Sequence, residues 1–205
     1  LVDGALEGTS AVTVASGATL GGTGSVFASS STNTATVQNG GILSPGSSGA
    51  GVFTVNGNLA MAGGSNLNID ITGNTAGTQY DQVIVNGTVD VSGANLSAAH
   101  SYTPGSLDNY TIISNDAADA VTGTFAGLAE GGTITAGGNG TVLTASYAGG
   151  SGNDITLTAP VLATVTSVSS SIANGSYKAG DVIAVTVTFS DAVTVTGTPQ
   201  LTLET

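Results

Sequence analysis

Cysteine, tryptophan and arginine are missing from this chain of 205 residues, and lysine and histidine occur once each, as Lys178 and His100. Each absence removes a class of function. Without cysteine there is no disulfide framework and no thiolate to act as nucleophile or metal ligand. One lysine against 13 acidic residues leaves a net charge of −12, so no phosphate backbone can be neutralised and nucleic-acid binding is not expected. A single imidazole leaves little for general acid–base chemistry. Aromatics make up 4% of residues, too few for a core centred on large rings, and charged residues 7%, far below the usual quarter. No apolar run approaches the ~20 residues of a membrane-spanning helix, so membrane insertion is not expected. Leu1 opens no basic, apolar signal segment. With Leu201-Thr-Leu-Glu-Thr205 falling inside a strand pattern, the chain reads as a fragment of something longer.

What is present is glycine, 32 residues of it, among strand-forming Val, Thr, Ile and Leu. Period-2 alternation predicts strands at Ala11–Val14, Val52–Val55, Asn66–Ile71, Gln82–Val85, Thr88–Val91, Tyr110–Ile113, Thr141–Ala145 and Asp154–Thr158. Helical periodicity is confined to one candidate turn at Asn115–Ala120. Asn-Gly pairs at 39–40, 56–57, 86–87 and 139–140 mark corners or tight turns, since both residues tolerate positive φ.

Aligning those corners brings out a degenerate repeat. Val12 to Leu20 resembles Ala35 to Leu43, then Phe53 to Met61, then Val83 to Val91, with offsets of 23, 18 and 30 residues. Strand–corner–strand units at ~20–30 residues predict a β-solenoid in which each rung buries a face on the next. The alternative over residues 1–90 is a string of antiparallel hairpins in a sandwich, because Asn-Gly is also a hairpin signal. The expected class is thus all-β: a β-solenoid, β-helix-like repeat domain over 1–159, followed by part of an immunoglobulin-like β-sandwich over 160–205. Tyr and Phe become more frequent towards the end of the first domain, where residues 92–159 are expected to cap the stack. In the second, strands are predicted at Val161–Val168, Asp181–Phe189, Ala192–Val195 and Gln200–Leu203, about half of what such a sandwich needs.

The segments Gly46 to Leu59, Asn66 to Ile71 and Tyr80-Asp-Gln-Val-Ile-Val-Asn-Gly-Thr-Val89 resemble the β-strand repeats of autotransporter passengers and related giant bacterial surface proteins. Ser101-Tyr-Thr-Pro-Gly105, Tyr110 to Ile113, Gly123 to Leu128 and Ser146 to Leu157 resemble the unit that ends such repeat blocks. Asn174 to Val182 and Val193 to Leu203 are similar to immunoglobulin-like modules found in tandem in large bacterial adhesins. The resemblance covers most of the chain. It implies a secreted or cell-surface setting, a structural or adhesive role, and partners among other copies of the chain, adjoining adhesin modules, or host and surface glycans.

Candidate sites are few. Gly149-Gly-Ser-Gly-Asn-Asp154 fits the start of the calcium-binding G-G-x-G-x-D nonapeptide, making Asp154 the candidate calcium ligand. One copy supplies only half a site, and Ile155 and Leu157 straddle the motif's aliphatic position. The other reading of this segment is a glycine-rich hairpin loop. The remaining carboxylates are scattered, with Asp116 and Asp119 closest and Asp108 near. A polysaccharide-active β-helix enzyme would need two of them in one groove, for instance among Asp70, Asp81 and Asp90. Against that stand the missing arginine and the lack of an aromatic platform, and no catalysis is expected. No Gly-x-Ser-x-Gly elbow occurs. Gly46-Ser-Ser-Gly-Ala-Gly51 lacks the lysine and helix of a phosphate loop. His100 is expected on a surface loop and Lys178 in a solvated turn. Binding, where present, is expected on loops such as Ser29–Asn33 and Ser97–Asp108. An extracellular filament assembled by strand complementation is the structural alternative to a stalk.

Overall fold

The computed structural model describes residues 1–29, 32–116 and 119–200, and the chain forms two compact units, Leu1–Pro160 and Val161–Thr205. The fold is all-β, with no helix among the described residues. Asn115, expected to open a helical turn, is the last residue of a strand; residues 117–118 lie outside the described residues.

In the first unit the strands come in threes. A first passage of chain gives β1 (Ala5–Leu6), β2 (Ala11–Val14) and β3 (Thr19–Gly22), and a second gives β4 (Ser25–Val26), β5 (Thr34–Val37) and β6 (Ile42–Pro45). The third gives β7 (Val52–Val55), β8 (Asn58–Met61) and β9 (Asn66–Ile71), and the fourth β10 (Gln82–Val85), β11 (Val89–Asp90) and β12 (Asn95–His100). Each strand lies parallel to its counterpart in the next passage, which produces three parallel sheets, β1-β4-β7-β10, β2-β5-β8-β11 and β3-β6-β9-β12. Antiparallel hairpins are not how these strands pair.

Registers test the repeat alignment residue by residue. Val12 faces Ala35 and Phe53 faces Val83, as the first and third offsets require. Ala35, however, faces Leu59 and not Phe53. The middle offset joins strands of different sheets because β5 and β7 both read Thr-Val shortly before an Asn-Gly corner, and period-2 alternation carries no label for the sheet a strand joins.

The pleat sends alternate residues inward. β5 to β8 and β10 all alternate half-buried and buried, and their inner residues form one core. Identical side chains stack across passages: Leu20, Leu43, Leu67 and Leu96 stand in register down one sheet. Leu43 and Leu67 are completely buried, each contributing ~2 kcal/mol by removal from water.

At two corners the glycine serves close approach and not positive φ. Gly57 and Gly87 both have negative φ. A Cβ on Gly57 would lie 2.4 Å from the Asn33 carbonyl oxygen, and one on Gly87 would lie 2.8 Å from the Gly57 carbonyl carbon. The chain does turn at Asn56-Gly57 and Asn86-Gly87, as expected of these pairs, but without left-handed backbone at the glycine: glycine lets successive corners stack. The asparagines beside them form an amide ladder. Asn86 Nδ2 donates to Asn56 Oδ1 at 2.9 Å, and Asn56 Nδ2 donates to the Phe27 carbonyl at 3.1 Å. Asn56→Ala breaks both bonds and is expected to lower stability by about 1–2 kcal/mol, read as a lower urea midpoint at unchanged m.

After the fourth passage the first sheet continues through β13 (Asn109–Asn115), parallel to β10, and then changes sense. β14 (Thr133–Thr135), β15 (Gly137–Gly138), β16 (Val142–Gly149) and β17 (Asp154–Thr158) follow. β17, β16 and β14 extend this sheet as antiparallel neighbours, while the two-residue β15 pairs in parallel with β12. Here the aromatics gather. The Tyr147 hydroxyl accepts the Phe125 N–H at 2.9 Å and donates to the Leu128 carbonyl at 2.7 Å, fixing the loop that leads to β14.

The second unit contains β18 (Val165–Ser170) and β19 (Val185–Phe189), an antiparallel pair. Val165 faces Phe189 and Val168 faces Val187, and a bulge at Thr166 brings Val165 and Val168, three residues apart, onto one side. All five apolar residues of the ribbon are exposed. Ala192–Val195, expected as a strand, is not one, and it pairs with no strand among the described residues. The expected strand at Gln200–Leu203 falls mostly on residues outside those described.

Candidate functional site

His100, Tyr102, Asp108, Tyr110 and Asn139 gather where β12 ends. Asn95-Leu-Ser-Ala-Ala-His100 alternates, with Leu96, Ala98 and His100 turned towards the core. His100, expected on a surface loop, is fully buried. The correction follows from the pleat: the strand runs to His100 before the chain turns through Pro104-Gly105, and only residues 101–108 of the expected Ser97–Asp108 loop lie outside strands.

Both imidazole nitrogens have partners. Nε2 lies 3.3 Å from the Tyr110 hydroxyl and Nδ1 3.0 Å from Asn139 Nδ2. The Asn139 amide is fixed from its other end, since Oδ1 accepts both the Thr141 N–H at 3.0 Å and the Thr141 hydroxyl at 2.8 Å. Nδ2 must then be the donor, which makes Nδ1 an acceptor and places the ring proton on Nε2. From there the donors line up. Nε2–H points to Tyr110, the Tyr110 and Tyr102 hydroxyls are 2.5 Å apart, and the Tyr102 hydroxyl donates to Asp108 Oδ2 at 3.0 Å. Tyr102 also stacks on His100 at 4.7 Å between centroids, and Tyr80 meets Tyr110 edge-on at 5.6 Å.

Burial holds the His100 pKa below the usual imidazole range, and burial together with the neighbouring Tyr110 and Asp108 raises that of Tyr102. Asp108 is shifted the other way, its carboxylate stabilised first by the Gly105 N–H at 2.8 Å and then by Tyr102. At neutral pH the network therefore ends in a carboxylate at Asp108 and a neutral ring at His100.

A groove of about 150 Å³ adjoins this network, lined by Gly49, Asp70, Ile71, Ala99, His100 and Gly138. A second hollow shares Gly49 and Asp70 with it and is otherwise lined by Ser44 to Ser48, which is where the glycine-rich segment Gly46–Gly51 lies. Of the carboxylates considered for catalysis, Asp70 alone faces these hollows. Asp81 is buried, its Oδ1 accepting the Gly51 N–H at 2.8 Å and its Oδ2 the Asp70 N–H at 2.9 Å. Burial raises its pKa to about 6 against the opposing pull of those two amides. Asp90 belongs to another sheet, where its Oδ1 accepts the Ser92 N–H at 2.9 Å. The three do not converge.

Asp154 opens β17, and its segment is the turn of the β16–β17 hairpin, with Gly149 opposite Asp154. One Asp154 oxygen accepts the Asn115 N–H at 2.8 Å. The Asp119 carbonyl accepts from the amides of both Asn115 and Asn153 at 2.9 Å, and the Asp116 N–H donates to Asn115 Oδ1. Among the described residues no three His, Cys, Asp or Glu side chains are grouped so as to hold a metal ion. Lys178 is exposed, its N–H donating to Asp181 Oδ2 at 2.9 Å. Residues 30–31 of the Ser29–Asn33 loop lie outside the described residues. No protein-family model, curated protein or solved structure matches the chain.

Proposed function

We propose that this chain is a non-enzymatic structural or adhesive segment of a secreted or cell-surface bacterial protein, with its first unit a β-solenoid. The observation that carries the reading is the set of three parallel sheets, each extended by one strand per passage of the chain. Side chains that elsewhere do chemistry make internal bonds here: Asp81 holds two amides, Asp108 a turn and a tyrosine, and the asparagines bridge successive corners. Such a stack resists extension because each strand must break its whole ladder to leave.

Beads carrying the purified chain test the adhesive element through their retention on immobilised glycans and surface proteins; retention no greater than that of bare beads removes it. Turnover of a polysaccharide panel, abolished by Asp70→Asn, would replace the reading with the enzyme.

A second reading, a filament subunit joined by strand complementation, is supported by the β18–β19 ribbon. Two strands alone do not make a stable sheet in water, and Val165, Val168, Val185, Val187 and Phe189 leave apolar surface open. On this reading the ribbon is part of an immunoglobulin-like module completed by a neighbour. Electron microscopy of the isolated chain tests it. Fibres in which residues 161–200 resist protease support the filament, and a monodisperse monomer cut within them rejects it.

A further inference from the structure

We propose that His100 is an acid-released clasp that holds the 137–141 segment on the edge of β12. Little else fastens that segment to β12. The pairing of Gly137 and Gly138 with Ala99 and His100 is two residues long, and beyond it the Asn139 N–H donates to the His100 carbonyl at 3.1 Å. Gly138 lies so close that a Cβ there would stand 2.6 Å from the same carbonyl. The Asn139 side chain completes the fastening by donating to Nδ1 of the ring and, at 2.6 Å, to the Tyr102 carbonyl.

Direction is what makes the contact sensitive to protons. The only imidazole nitrogen that can take one is Nδ1, because Nε2 already carries the hydrogen given to Tyr110. A proton on Nδ1 turns the acceptor into a donor facing the Asn139 NH₂. Asn139 cannot answer by flipping, since its Oδ1 is held by the Thr141 N–H and hydroxyl. Two donors then face each other at a half-buried contact, and the segment leaves.

The groups around the ring set the balance. Tyr110 and Tyr102 present hydroxyls already committed down the chain to Asp108, and Tyr80 packs against Tyr110. Asp70, on β9, pairs with Ala99 beside the ring, with Asp81 behind it. The 137–141 segment brings no titratable group. Burial opposes the cation most strongly, while the Tyr102 carbonyl and Asp108 favour it, so the intact clasp stays neutral until the medium is acidic. Release has a spatial consequence: Gly138 forms one wall of the groove that Asp70 and Ala99 line, so the groove opens with the clasp.

The test is amide exchange followed by NMR over a pH series from about 7.5 to about 4.5, rates normalised for intrinsic pH dependence, together with ¹⁵N shifts of the imidazole. The expected result is an Nε2–H tautomer at the upper end. Protection at Asn139 and Thr141 should then fall about ten-fold per pH unit once the ring begins to titrate, with Val83 and Val85 unchanged. In His100→Gln that fall should vanish. A fall that persists in His100→Gln assigns the effect to the carboxylates and overturns the proposal. Should that variant fail to fold, the wild-type chain still decides. Coincident midpoints for ring and amides sustain the clasp, while flat protection through the ring's titration, or an Nδ1–H tautomer at the upper end, overturns it.

Discussion

Phe53→Ala lowers the free energy of unfolding of the first unit by about 3–5 kcal/mol. Phe53 is fully buried on β7, facing Val83 on β10, which in turn faces Ile113 on β13. The ring therefore fills space between passages whose backbones are fixed by ladders on both sides, and a wall made of ladders collapses poorly into a void. The cavity term adds to the lost transfer free energy for that reason. Guanidinium denaturation followed by far-UV circular dichroism measures the loss, with Thr54→Ala, on the outer face of the same strand, as the control at no more than about 1 kcal/mol. A loss at Phe53 as small as the control's would mean that the column relaxes freely and that the core is not close-packed.

Asp81→Ala is the second large effect, about 2–5 kcal/mol, because it strips the acceptor from the N–H groups of both Gly51 and Asp70. Its pH dependence follows from a carboxyl whose pKa is raised to about 6 in the folded chain from an ordinary value of 3.8, burial being the larger cause. Between those values the folded state binds the proton more tightly than the unfolded state does. The contribution of Asp81 is thus greatest below 3.8 and is lost as pH rises through 6. The stability difference between wild type and Asp81→Ala should accordingly widen from about pH 7.5 to about pH 4.5. Narrowing would mean that the two amide bonds outweigh burial and that the carboxylate is the favoured form.

Much of the fold was legible in the residues because alternation is a local property. Val52–Val55, Asn66–Ile71, Gln82–Val85 and Asp154–Thr158 are strands with the bounds that period-2 reading assigns. Which sheet a strand joins is not local, and so the alignment paired Ala35 with Phe53 where the chain pairs it with Leu59. The site was less legible still. Inward alternation from Leu96 through Ala98 was the available signal for a buried His100, but the nearby Pro104 and Gly105 read as a loop and outweighed it. The partners of His100 were beyond reach of sequence, since Asn139 and Tyr110 meet it only through β15 and β13. In the second unit, Ala192–Val195 alternates as well as any strand of the first. Alternation only makes a segment fit to be a strand, and a neighbouring ladder makes it one.

The parallel pairing of each passage with the next also sets an order of events. Ala11 waits for Thr34, Thr34 for Asn58, and Leu59 for Val89, so the chain length needed to close each new set of contacts stays nearly constant along the unit. Loop closure then costs about the same at every step, and no early strand depends on a distant late one. A chain fed end first, whether from a ribosome or through a pore, can bank each passage as the next arrives. Within the first unit the antiparallel run of β17, β16 and β14 comes last and closes against β13, so the end of that unit acts as a latch on what has already formed.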